Sequence, residues 1–309
     1  MPSGTIILLG AFAGLTIFLG LPVAFLRRMP QSLRMFMSML ATGVLLFLFF
    51  DVIEKASEPI GEALTAAREG HGSGLLIGQL GLFIGGLALG LLGLVYFNKF
   101  VIARAKTVKS APAAELSEAG STEALSAALL TSVPVSDGGA AVATAPAPAK
   151  PAVGTVAHEL APRTLSLIIA TGIGLHNFSE GLAIGQSAAA GALSLATVLI
   201  IGFGLHNMTE GFGIAGPISG QRVSWKFIAL LGLIGGGPTF LGTLFGIQLH
   251  SVELFIFFLA LAAGAIIFCV AELLGVAKRF KAQDIVMWGL LAGFLLGYLT
   301  DLIVSFSGA

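Results

Sequence analysis

Long apolar stretches broken by short polar ones set the architecture of this chain. Eight stretches are long and apolar enough to cross a bilayer: about 4–26, 33–53, 74–97, 164–187, 193–216, 225–248, 253–275 and 284–306. They predict an all-α membrane protein of eight transmembrane helices. Between the third and fourth spans the text changes. Residues 98–163 are rich in Ala, Pro, Ser and Thr, and read as a disordered cytosolic loop. The expected division is thus 1–97 for the first three spans, 98–163 for the loop, 164–217 for the fourth and fifth, and 218–309 for the last three. No Lys or Arg precedes the first apolar run, so residues 4–26 read as a retained span and not a cleaved leader.

Two of the apolar stretches carry the same polar sentence. Gly174-Leu175-His176-Asn177-Phe178-Ser179-Glu180-Gly181 and Gly204-Leu205-His206-Asn207-Met208-Thr209-Glu210-Gly211 stand 30 residues apart. An ionisable group at mid-membrane depth costs about 2.5–3.5 kcal/mol even on the lenient insertion scale, so it needs a partner or a task. On a helix, His and Glu at i and i+4 share a face. The fourth span reaches His176 after about 18 Å of rise, and the fifth reaches His206 after about 20 Å. Both motifs fall near the centre of a core about 30 Å thick. Antiparallel packing of the two helices brings His176, Glu180, His206 and Glu210 together, with Asn177 and Asn207 as weaker neutral ligands. Imidazole with carboxylate suits Zn²⁺ and other first-row dications, whereas Ca²⁺ and Mg²⁺ prefer oxygen alone.

The chain also repeats. Leu8, Gly10, Gly14 and Gly20 of the first span match Leu230, Gly232, Gly236 and Gly242 of the sixth. Ala41, Gly43, Phe47 and Asp51 of the second match Ala262, Gly264, Phe268 and Glu272 of the seventh. Gly86 and Gly90 of the third match Gly293 and Gly297 of the eighth. The first span and the sixth run in opposite directions. The expectation is therefore an inverted 3+3 repeat flanking the fourth and fifth spans, an arrangement typical of transporters.

Charge and composition narrow the class. The chain is 56% hydrophobic and 10% charged, with zero formal net charge, which places it among membrane proteins and argues against a nucleic-acid partner. Its one cysteine, Cys269, excludes an internal disulfide and reads as a buried thiol. Counting basic residues near the span ends puts eleven on one side, against Lys55 and Arg68 on the other. Both termini are accordingly expected outside, with the protein in the plasma (inner) membrane. His71 and His250 read as solvated outer positions.

These residues resemble the ZIP (Zrt/Irt-like) family of divalent metal transporters. The shared features are eight spans, the long inside loop after the third, and His-Asn-x-x-Glu-Gly in both the fourth and fifth. The resemblance implies a zinc-type site at His176, Asn177, Glu180, His206, Asn207 and Glu210. It also implies movement of spans one, four, five and six against two, three, seven and eight. Asp51 and Glu272 resemble the family's carboxylates at the way in and the way out. Two departures stand out. Ser179 and Thr209 occupy positions where many members have Pro, and Gly235–Thr239 lacks the sixth-span Glu that completes a second metal position. One metal position is therefore expected.

The resulting expectation is a non-enzymatic transporter carrying Zn²⁺, or Fe²⁺, Mn²⁺ or Cd²⁺, into the cytosol by alternating access. The dication is cargo, and no prosthetic group is expected. The other partners are the bilayer and a second copy in a homodimer. The rival readings are an intramembrane metallo-hydrolase, disfavoured because no His-Glu-x-x-His occurs, and a metal sensor without transport.

Overall fold

A computed structural model describes residues 3–26, 28–110, 162–189, 191, 193–248 and 251–306, and among these every regular element is helical. The helices are α1 (Ser3–Leu15), α2 (Ile17–Gly20), α3 (Gln31–Arg68), α4 (Gly74–Ser110), α5 (Pro162–Ala189), α6 (Leu193–Ala215), α7 (Trp225–Gln248), α8 (Val252–Ala277) and α9 (Gln283–Phe306). Short 3₁₀ turns follow α2 at Leu21–Phe25 and α6 at Gly216–Ile218.

Seven stretches pass for membrane spans by length and apolar content, the first running through α1, α2 and the turn after them. The chain is a multi-pass membrane protein. A helix, α6, also stands at the fifth expected span. Large apolar side chains such as Leu8, Phe12, Leu19, Leu233, Trp288 and Ile303 face outward, as lipid-covered positions do.

Helix lengths depart from the sequence reading in three places. The second expected span ends at 53, but α3 runs on to Arg68, making 38 residues or about 57 Å. Beyond Asp51 its apolar periodicity persists on one face, where Val52, Ala56 and Ala63 are buried. The third span likewise continues to Ser110, so the expected loop from 98 begins in helix, and residues 111–161 lie outside the described residues. The first span is interrupted at Thr16. There the Ala13 carbonyl accepts from the Thr16 amide at 3.3 Å and the Thr16 hydroxyl at 2.6 Å, a tight i→i+3 turn. Pro22 then sits in the first turn of the 3₁₀ segment, where its missing N–H costs nothing.

Two groups of helices form the body. α5 packs most extensively on α7, and α1, α2 and α6 complete a group around it. α3, α4, α8 and α9 form the second group, with α4 against α8 and α9 against α3; α3–α6 and α5–α8 contacts join the two. In its most apolar window α5 is 72% buried, against 17% for α4 and 22% for α9. The polar motif of α5 therefore sits in the middle of the protein, and lipid meets α4 and α9. Close approach needs glycine where α1 crosses α7: a Cβ on Gly14 meets the Gly236 carbonyl, and one on Gly236 meets the Gly14 carbonyl.

Candidate functional site

α5 and α6 bring the two polar sentences face to face. His176, Asn177, Ser179, Glu180, His206, Asn207, Thr209 and Glu210 are all buried, with Asn177, Asn207 and Glu210 at 0% exposure. The i, i+4 spacing acts as expected in α5, where His176 Nε2 lies 3.2 Å from Glu180 Oε1. The same oxygen reaches across to α6, 2.6 Å from His206 Nε2. Glu180 thus lies close to both imidazoles and is hydrogen-bonded to that of His206.

The second motif does not mirror the first. Glu210 turns from His206 toward α5, accepting from Asn177 Nδ2 at 3.2 Å and standing 3.9 Å from His176 Nε2. Asn177 Nδ2 also donates to the Gly235 carbonyl of α7 at 3.0 Å. That carbonyl lies one residue past Ile234, whose own helix partner is lost because Pro238 has no N–H. Asn207 Nδ2 donates to the Ala13 carbonyl of α1 at 3.1 Å, at the break before Thr16. Each asparagine thus ties its motif to an irregular turn of a neighbouring helix. Ser179 and Thr209 donate back to the His176 and His206 carbonyls, at 2.6 and 2.7 Å, a contact that bends helices mildly where proline would kink them.

Several site atoms are buried without a hydrogen-bond partner: both ring nitrogens of His176, Oδ1 of Asn177 and Asn207, Oε2 of Glu180 and Oε1 of Glu210. Orphaned groups of this kind are costly and call for an explanation. Four are oxygen acceptors and two are imidazole nitrogens. The asparagine donors, meanwhile, are committed to backbone carbonyls and Glu210. The four oxygens can accept from water or coordinate a cation. Among the described residues no group of three or more His, Cys, Asp and Glu side chains is spaced to hold an ion.

No family model matches this chain, and no curated protein matches it.

Two narrow clefts, each about 30 Å³, lead to the cluster. That is the share of one water in the liquid, room for a single water or a bare ion. One is lined by Asp51, Lys55, Phe203, His206, Thr300 and Asp301 among others, the second by Asp51, Lys55, His176, Ser179 and Glu180. Asp51, expected at the way in, lines both clefts. Glu272 is partly exposed on α8 and lines neither cleft. Ile17, Leu21, Met39, Ile169, Ile173 and Ile214 belong to one buried apolar core, which also takes in Leu48, Val52 and Leu259 beside Asp51. A cavity of about 840 Å³ lies behind α5 against Leu175, Phe178 and Pro238, and presents no ionisable side chain to a cation.

Two contributors were missed in the sequence. Phe203 lies one helical turn before His206, its ring 5.3 Å from the imidazole, and it lines both clefts. Lys55 is bonded to Asp51 at i, i+4. Both spacings were legible. His71 is exposed, as expected, while His158 and His250 lie outside the described residues.

Proposed function

We propose that this protein transports a divalent transition metal, Zn²⁺ or a close relative, across the membrane through the His176/Glu180/His206/Glu210 cluster, in the manner the resemblance to ZIP transporters implies. The supporting observation is the buried convergence of two imidazoles and two carboxylates, with one oxygen of each carboxylate left without a hydrogen-bond partner. Two carboxylates balance the charge of one dication, and imidazole selects a borderline-soft ion. The dication is substrate: it comes between Glu180 and His206, and leaves when the cluster opens to the other face.

The inverted repeat belongs to the same reading, and matched contacts support it. Asn207 ties to Ala13 as Asn177 ties to Gly235, and Ala13 and Gly235 stand at the offset that relates Gly14 to Gly236. A Cβ on Gly211 meets the Ile17 carbonyl, as one on Gly181 meets that of Thr239. Gly20 faces the Met208 carbonyl, as Gly242 faces that of Phe178. In the outer group, Gly90 faces the Leu261 carbonyl and Gly293 that of Leu40, which pairs Gly90 with Gly293, one turn from the sequence match. On this reading the clefts lined by Asp51 are the outer approach to the cluster. Eight spans, outside termini and inward movement of metal complete the proposal.

The test is flux. Proteoliposomes containing the folded protein take up Zn²⁺, Cd²⁺, Fe²⁺, Mn²⁺ or Co²⁺ down a gradient. Binding without flux in either direction leaves a sensor, and absence of both overturns the reading.

A further inference from the structure

The approach to a cation site carries a cation of its own. Lys55 Nζ lies 2.8 Å from Asp51 Oδ1 and 2.8 Å from Oδ2, so one ammonium holds both carboxylate oxygens. The pair is not buried: the Lys55 side chain is 45% exposed and that of Asp51 17%. Both residues line both clefts, so neither approach to the cluster avoids them. Asp301 of α9 faces the same cleft.

We propose that Lys55 is a tethered counter-cation that sets how readily the metal enters: the ammonium occupies Asp51 until an arriving dication displaces it. This rests on the transport reading and adds to it a specificity-determining residue. A monovalent ion repelled by one ammonium gains one carboxylate contact for its single charge. A dication gains twice the attraction from the Asp51–Asp301 side and can drive the ammonium into solvent, where its exposure lets it swing. Lys55 is then a threshold that favours double charge. An ion pair that merely braces α3 makes a different claim, since a brace suffers when either member is lost.

The experiment separates the two by sign. In proteoliposomes, Lys55→Met lowers the KM for Cd²⁺ about fivefold, because a repelling unit charge leaves the mouth. Asp51→Asn strands the ammonium and raises KM by a similar factor, and the double variant returns close to the wild-type value. kcat stays within about twofold in all three, since the cluster is untouched, and Lys55→Arg behaves as wild type. The shifts shrink at 0.5 M salt, where screening is within about 5 Å. The association rate of Cd²⁺ with purified protein, followed by indicator displacement, reads the same order without transport. Wild-type flux with both single variants raising KM makes the pair a structural brace and overturns the proposal. Unchanged KM and association rate in Lys55→Met overturn it too. Absence of both flux and Cd²⁺ binding in the wild type instead sinks the transport reading on which it stands.

Discussion

Glu180 is the node of the cluster, so Glu180→Gln is the sharpest perturbation of the proposed site. The amide keeps the shape but removes the charge from the oxygen that lies 2.6 Å from His206 Nε2 and 3.2 Å from His176 Nε2. Two unit charges 4 Å apart at an effective dielectric near 20 attract by about 4 kcal/mol, and a dication doubles this to about 8. Desolvation of the ion takes back several kcal/mol, leaving a loss of about 3–4 kcal/mol, or 10²–10³-fold in metal affinity. Asn177→Ala removes two neutral-donor bonds, to Gly235 and Glu210. At a net contribution of about 1 kcal/mol each, the cost is about 30-fold at most. Uptake of Cd²⁺ by equal amounts of reconstituted protein, and Cd²⁺ binding to purified protein, check the order. Glu180→Gln within threefold of wild type alongside an inactive Asn177→Ala would refute the argument, since the amides and not the carboxylates would then hold the ion.

Three further outcomes follow from the same geometry. Uptake falls as external pH is lowered from about 8 to about 5, because protons compete with the dication for imidazole nitrogens and carboxylate oxygens; a flat profile argues against direct ligation. Crystals soaked in Cd²⁺ show one strong metal peak between α5 and α6, since α7 supplies no carboxylate to balance a second dication; two full peaks would refute the charge argument. Gly242→Ala, whose Cβ meets the Phe178 carbonyl and Leu182 amide, forces α5 from α7 at about 1–3 kcal/mol. Its Tm in detergent drops by about 5 °C, while Gly275→Ala, with open space at its Cβ, leaves Tm unchanged.

What was legible in the sequence was what depends on solvent contrast. The eight apolar stretches each hold a helix, and the two motifs meet, because an ionisable group in such a stretch has few places to go. Helix ends were less legible. Hydropathy fades where α3 leaves the apolar slab at Asp51, although Val52, Ala56 and Ala63 keep the helical period to Arg68. The interruption at Thr16 had no signal in hydropathy, since a hydroxyl folded onto Ala13 leaves the stretch apolar. The unequal roles of Glu180 and Glu210 were hidden for another reason. Two identical motifs predict equal pairs, whereas one oxygen cannot be placed between both imidazoles without leaving the other carboxylate to Asn177.

That inequality bears on how an ion would be released. On the transport reading, each motif combines ion ligands with a tether to a neighbouring helix inside a single turn: Asn177 to α7 through Gly235, Asn207 to α1 through Ala13. The two tethered turns are the irregular ones, loosened by Pro238 and by the break at Thr16, so they yield at low cost. Asn177 is shared between Glu210 and Gly235, which couples the charge state of the site to α7 directly. An ion that draws Glu210 away leaves Asn177 with the backbone bond alone; the ion's departure restores both. Asn207 has no such second partner among the described residues. The α7 side therefore responds to the ion while the α1 side holds, and Asn177→Ala should slow turnover more than Asn207→Ala at saturating metal.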